Sequence, residues 1–220
     1  MIKLSKRLES IASFIESEDD VLDIGCDHAL LDIYLSEKYS KIYYASDLRE
    51  SALDMARSNI KKYNADKVIL KCGNGLDVID EKTLINTIVI SGMGYMSIIH
   101  ILKNIKNLKK INKLVIQSNS NSEIVRKYLI KNGFYIDKES IILDKNIYYV
   151  ISSFKRGKRK YSTLDKEIGI MNDECLKKYI EIELKKNNIL LSVIPSKHIL
   201  RRYMVKRKIK YLNKKRILTK

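Results

Sequence analysis

Apolar residues at Leu4, Leu8, Ile11, Ala12 and Ile15 recur at helical spacing, so the chain is predicted to open with an amphipathic helix. Beyond it, short β-rich runs alternate with helical stretches. Val21–Ile24, Ile42–Ser46, Val68–Lys71, Thr87–Ser91 and Lys113–Ser118 read as strands, and Leu30–Glu37, Arg49–Tyr63, Met96–Lys103 and Ser122–Asn132 as the helices between them. Such alternation predicts an α/β fold with a parallel, doubly wound sheet covered by helices. The rhythm then changes. Phe134–Leu143 and Ile147–Phe154 are extended runs joined by the turn-like Asp144-Lys145-Asn146, which predicts an antiparallel hairpin at the sheet edge.

Lys155–Lys160 is a polar, basic linker. Past it, Leu164, Ile168, Cys175, Leu176, Tyr179, Ile180, Ile182 and Leu184 predict one helix or two, and the single proline, Pro195, breaks the pattern. Ile199, Leu200, Tyr203, Met204, Ile209 and Leu212 predict a further helix, folding back as a helical hairpin. The reading divides the chain into residues 1–155 and 156–220. Charge follows the same division: the first part holds 23 Lys+Arg against 20 Asp+Glu and the second 20 against 6, with no acidic residue after Glu183. A tail this basic calls for a polyanionic partner, nucleic acid or an anionic membrane. The apolar residues of the tail are needed to pack its own helices, which favours nucleic acid. Cys26, Cys72 and Cys175 are odd in number and lack metal-ligand spacing, so neither a disulfide framework nor a metal site is expected. No run reaches the ~18 apolar residues of a membrane span, and no apolar leader follows the first basic residues. A soluble cytoplasmic protein is the expectation; the oligomeric state is not legible, and a monomer is compatible with the sequence.

Val21-Leu22-Asp23-Ile24-Gly25-Cys26-Asp27-His28 carries the most chemistry. A dinucleotide site needs glycines and bare backbone N–H groups around a pyrophosphate. Asp27 stands where the second glycine of that fingerprint would fall and would repel the anion. The loop suits a cofactor without phosphate and with positive charge, which points to S-adenosylmethionine. In open α/β sheets a ligand lies beyond the carboxyl ends of the strands. Asp23, Gly25, Cys26 and Asp27 stand at the first of these ends, and Asp47-Leu48 at the second, spaced for Asp47 to bind a ribose diol. Asn74-Gly75 follows the third, where the amide suits an adenine edge, and Gly92-Met93 the fourth, where glycine lets backbone approach a flat ligand. Each has a plainer reading. Asp47 suits a helix cap, Asn74-Gly75 a turn, His28 a helix start, and Gln117 and Asn119 a cap on the next helix.

Asp23-Ile24-Gly25-Cys26-Asp27-His28-Ala29-Leu30-Leu31, Gly73-Asn74-Gly75-Leu76, Val89-Ile90-Ser91-Gly92-Met93-Gly94 and Gln117-Ser118-Asn119 occur in this order. Together they resemble the bacterial tRNA (adenine(22)-N1)-methyltransferases, over roughly residues 2–155. Departures from that pattern are Asp32 for a proline, Asn74 for an aspartate, Tyr95 for a glycine and Ser118 for a proline. The resemblance implies a Rossmann-like class I methyltransferase sheet with its terminal β-hairpin (1–155), followed by a small C-terminal α-helical domain, a coiled-coil hairpin that binds tRNA (156–220). It implies methyl transfer from S-adenosylmethionine to N1 of an adenine in tRNA. In that scheme Asp27 stabilises positive charge moving toward the base, and Gln117 and Asn119 read or hold the base. His28 and Tyr95 offer stacking surfaces, while Arg201, Arg202, Lys206 and Arg207 contact tRNA phosphates. Alternatives are another RNA base or a small molecule as methyl acceptor, or a non-catalytic RNA-binding protein on the same fold. The absence of an N/D-P-P-Y block after the fourth strand argues against exocyclic-amine methylation.

Overall fold

In the computed structural model, which describes residues 2–79 and 84–219, seven strands form a single sheet: β1 (Val21–Ile24), β2 (Tyr43–Asp47), β3 (Val68–Cys72), β4 (Thr87–Met93), β5 (Lys113–Ser118), β6 (Phe134–Asp144) and β7 (Ile147–Arg156). Their order is β3-β2-β1-β4-β5-β7-β6. The first five run parallel, and β7 and β6 close the sheet antiparallel. The order reverses between β1 and β4, so the carboxyl ends of these two strands flank the crevice in which open α/β sheets bind ligands.

Five helices cover the sheet: α1 (Lys6–Ala12), α2 (Leu30–Tyr39), α3 (Glu50–Tyr63), α4 (Tyr95–Ile101) and α5 (Ser122–Lys131). The central strands read as continuous apolar runs because both faces are buried. Alternate residues then sort to opposite sides. Val21, Val89 and Val115 join a cluster with Ile11, Leu31, Leu35 and Leu53 from α1–α3. Leu22, Ile88, Ile90, Leu114 and Ile116 join one with Ile98, Val125 and Leu129 from α4 and α5.

Local chemistry explains where the element boundaries differ from the sequence reading. The first helix stops at Ala12 rather than running through Ile15, and Ser5 caps its start, its hydroxyl accepting from the Leu8 N–H. α3 begins at Glu50 because the Asp47 carboxylate accepts from the Arg49 N–H at 2.9 Å, which holds Arg49 extended. α4 tightens after Ile101 into a 3₁₀ turn, Leu102–Asn107. The hairpin turn needs two left-handed residues to match strand twist. Lys145 (φ 47°) and Asn146 (φ 65°) supply them without a glycine.

Three helices follow: α6 (Thr163–Ile168), α7 (Cys175–Val193) and α8 (Ile199–Leu218). The stretch read as one helix or two is two, α6 being started by a reciprocal Ser162–Asp165 capping box. Arg202 meets the carbonyls of Leu191 and Ile194, and Lys208 meets Glu183, so α7 and α8 run antiparallel about the Pro195 turn. This helical unit packs on the hairpin. Ile141 and Val150 of the sheet share one cluster with Leu164, Ile168, Met171, Leu176, Ile180, Leu184 and Leu212. Behind that cluster lies a buried ion pair. Glu139 Oε1 accepts from Arg126 Nε (2.9 Å), Arg126 Nη2 (2.8 Å) and Ser152 Oγ (2.7 Å), and Oε2 accepts from the Ile170 N–H at 2.6 Å.

Candidate active site

The β1–α2 turn is built from three left-handed residues, Gly25 (φ 78°), Asp27 (φ 51°) and Ala29 (φ 52°). Gly25 and Cys26 donate their N–H groups to the Ser46 carbonyl at 2.8 and 2.9 Å. Two amides that a pyrophosphate would need are therefore already bonded to protein, in keeping with a ligand that carries no phosphate. A Cβ on Gly25 would collide with the Met93 methyl, so the thioether of β4 lies directly over this turn.

Two cavities meet here. One of about 440 Å³ is lined by Asp23, Gly25, Cys26, Asp27, His28, Asp47, Gly92 and Met93, with Arg7 and Arg49 at its wall. The other, of about 500 Å³, is lined by Gly25, Asp47, Leu48, Asn74, Gly75 and Met93, together with Met96, Ser97, His100 and Ile101 of α4. The shared residues, Gly25, Asp47 and Met93, mark their junction. All ten residues expected to hold a cofactor line one cavity or the other.

The first cavity is rich in carboxylates. Burial pushes the Asp23 carboxyl up to about 7, against the pull of the Arg7 guanidinium. Burial likewise pushes the Cys26 thiol far up, with Asp32, Asp23 and Asp47 adding to the effect, so it stays neutral and packs as an apolar group. The exposed Asp27 carboxylate lies 3.4 Å from His28 Nε2. The second cavity is mostly apolar, with an amide at Asn74 and two donors at Ser97 and His100. This division fits a molecule with a cationic amino-acid end and a flat, neutral nucleoside end.

Other site expectations land elsewhere. Gln117 is fully buried, and its Oε1 accepts from Arg7 Nη1 (2.9 Å) and the Gly92 N–H (2.9 Å) while its Nε2 donates to Asn119 Oδ1 (3.0 Å). Asn119 Nδ2 donates to the Gly92 carbonyl at 2.7 Å. Rather than presenting a free amide to a base, Gln117 works with Asn119 to hold the bulge at Gly92 (φ 77°), where the β4–β5 register shifts. Tyr95 lies outside both cavities and lines a cleft between α4, α5 and the helical unit, together with Arg201 and Arg207. Arg202 is not free to meet phosphate, since its guanidinium caps the carbonyl end of α7 at 3.1 and 2.5 Å. Arg207 pairs with Glu167 at 3.0 Å, and Lys206 is exposed. Sequence reasoning missed Arg7 and the α4 residues Met96, Ser97, His100 and Ile101. The α4 set does carry a signal, because its spacing places all four on one helix face.

A methyltransferase-domain family model matches residues 4–152. The Bacillus subtilis tRNA (adenine(22)-N(1))-methyltransferase is 32% identical over 162 residues, covering 72% of this chain and 67% of that protein. The chain belongs to the tRNA (adenine(22)-N(1))-methyltransferase family. Solved structures agree with this placement. TrmK of M. capricolum, in complex with S-adenosyl-homocysteine, superposes with a TM-score of 0.87 over 99% of both chains at 27% identity. Streptococcus pneumoniae Sp1610, in complex with S-adenosyl-L-methionine, does so at 0.86 over 96% of this chain and 99% of that one, at 28% identity. The family domain is a methyltransferase that uses S-adenosylmethionine, and the paired cavities fit that cofactor. Among the described residues no helix is long and apolar enough to cross a membrane, and no His/Cys/Asp/Glu cluster could hold a metal ion.

Proposed function

We propose that this chain transfers a methyl group from S-adenosylmethionine to N1 of adenine 22 in tRNA, in the cytoplasm. The observation that carries the proposal is the pair of cavities joined at Gly25 and Met93, carboxylate-lined on one side and apolar on the other. Asp23 and Asp27 face the cationic end of the cofactor, Asp47 the ribose, and Leu48, Asn74, Gly75 and the α4 face the adenine. The cofactor supplies an electrophilic methyl on a sulfonium. N1 of neutral adenine has an in-plane lone pair, so no base need remove a proton before attack. As positive charge passes to the adenine ring, Asp27 at the open side of the cavity stabilises it. Arg7 and Gln117 fix Gly92 and hence the wall against which the reactants align, and most of the acceleration comes from that alignment.

The target atom lies on the pairing edge, so the adenine must leave its stack to enter. His28, half-buried in the cavity wall, is placed to stack on it. Residues 156–220 act as the tRNA-binding domain through Lys206 and Arg201 on α8, with Tyr95 in the adjoining cleft. Nucleoside mass spectrometry of tRNA incubated with the protein and S-adenosylmethionine, followed by primer extension, tests the proposal. The expected result is 1-methyladenosine and a stop at position 22. Methylation at another nucleotide, or none, overturns it.

A further inference from the structure

Asp32 sits in the first turn of α2, fully buried, and among the described residues no donor of another residue pairs with either of its carboxylate oxygens, its own backbone N–H lying close by. An ionised carboxylate left so costs several kcal/mol. Asp32 interacts with the carboxyl of Asp23, which is itself buried and has one oxygen without a donor. Two acidic groups in contact form a hydrogen bond only when one of them carries a proton. Asp23 also lines the carboxylate-rich cavity beneath the Gly25 turn.

We propose that Asp32 completes a two-carboxyl site with Asp23, in which the pair holds one shared proton in the free enzyme and releases it when the cationic end of the methyl donor enters the cavity. On binding, the pair passes from a charge of −1 to −2, the incoming ligand brings a net positive charge, and the proton goes to solvent. The surroundings agree with a retained proton. Burial pushes both carboxyls up; the Asp23 charge and the hydrogen bond to Asp23 push Asp32 up further, while the same bond pulls Asp23 down, as expected when two acids share one proton. Among neighbouring groups, Arg7 from α1 pulls Asp23 down, and Asp47 at the end of β2 pushes it up. The Cys26 thiol and the Tyr43 phenol are pushed up by burial and stay neutral. Asp32 is thus a positioning residue acting through Asp23.

The inference rests on the cofactor reading, and calorimetry of the full chain with S-adenosylmethionine, in buffers of different ionisation enthalpy, separates the two. Wild type is expected to release up to about one proton per ligand bound, with Kd tightening by up to about tenfold per pH unit on the acid side of the pair's titration. Asp32→Asn keeps a donor on Asp23 and removes the second charge, so it should bind without proton exchange and with a flat pH profile. Binding by wild type without proton release, or equal release by Asp32→Asn, overturns this proposal and leaves methyl transfer standing. Absence of binding by wild type overturns both. Carbon-13 NMR of the Asp carboxyls in the free wild-type protein provides a test that needs no variant to fold. Asp23 and Asp32 should titrate in common steps, and independent titration near the ordinary aspartate value overturns the proposal.

Discussion

Arg126→Met is expected to cost the fold about 3 kcal/mol, and the arithmetic comes from the surroundings of Glu139. The Glu139 side chain is 0% exposed and the Arg126 side chain 1%. Removing the guanidinium deletes two charge-assisted bonds to Glu139, at 2.8 and 2.9 Å, and a longer one to the Lys166 carbonyl, at 3.4 Å, and leaves a buried carboxylate with only Ser152 Oγ and the Ile170 N–H as donors. Breaking a buried pair from one side costs ~3–5 kcal/mol. The two surviving donors place this case at the lower end. For a chain of this size that loss corresponds to a drop in Tm of roughly 6–12 °C. Urea denaturation of wild type, Arg126→Met, Glu139→Gln and the double variant measures both the loss and the coupling between the two side chains. The double variant should recover most of the loss, since neither partner is then an unpaired charge. Because the pair lies where α5, the hairpin and the start of the helical unit meet, the single variant should also raise KM for tRNA while leaving affinity for S-adenosylmethionine unchanged. A loss under about 1 kcal/mol, or strictly additive effects, refutes the reasoning.

Three further outcomes are expected. Gly25→Ala forces a left-handed alanine, at about 1–2 kcal/mol, and displaces the Met93 methyl from the junction of the cavities, so calorimetry should find S-adenosylmethionine binding weakened about tenfold or more; wild-type affinity would refute that geometry. Asp27→Asn, which tolerates the left-handed turn, should lower kcat for tRNA about tenfold or more and weaken cofactor binding by less than that, since the exposed Asp27 carboxylate acts mainly on the charge shift; unchanged turnover removes its assigned role. Replacing Arg201 and Lys206 together by alanine should weaken tRNA binding evenly across sequences and shallow the log–log salt dependence by about 0.7–0.9 for each phosphate no longer neutralised; an unaltered slope in filter binding at several salt concentrations would take α8 out of the interface.

The sequence predicted most of the scaffold because its strands bury both faces. Val21–Ile24 and Lys113–Ser118 begin and end as predicted, each carrying a short β-rich apolar stretch, Val21-Leu22 with Ile24 and Leu114-Val115-Ile116. The boundaries that moved did so through contacts close in sequence but specific in geometry, such as the Asp47 carboxylate on the Arg49 N–H. The two cavities were legible because the carboxyl ends of β1–β4 feed one crevice, so residue type at those ends was enough to place their lining. Roles depending on distant partners were not. Gln117 looks like a free amide at a strand end until Arg7, 110 residues away, is found on its oxygen. Tyr95 and Met96 are adjacent, yet the helical turn sends one into the cleft toward α8 and the other into the apolar cavity. Arg202 reads as one more cation in a basic run, and only the fold shows it capping α7.

The terminal hairpin has a double duty that bears on how such an enzyme can be re-engineered. Its Ile141 and Val150 are roofed by the three following helices, so cutting the chain after β7 would leave a greasy ledge along the outermost strands of the sheet. The basic arm is therefore not a detachable cassette. Anyone grafting a different helical arm onto this sheet would have to transplant the last two strands with it.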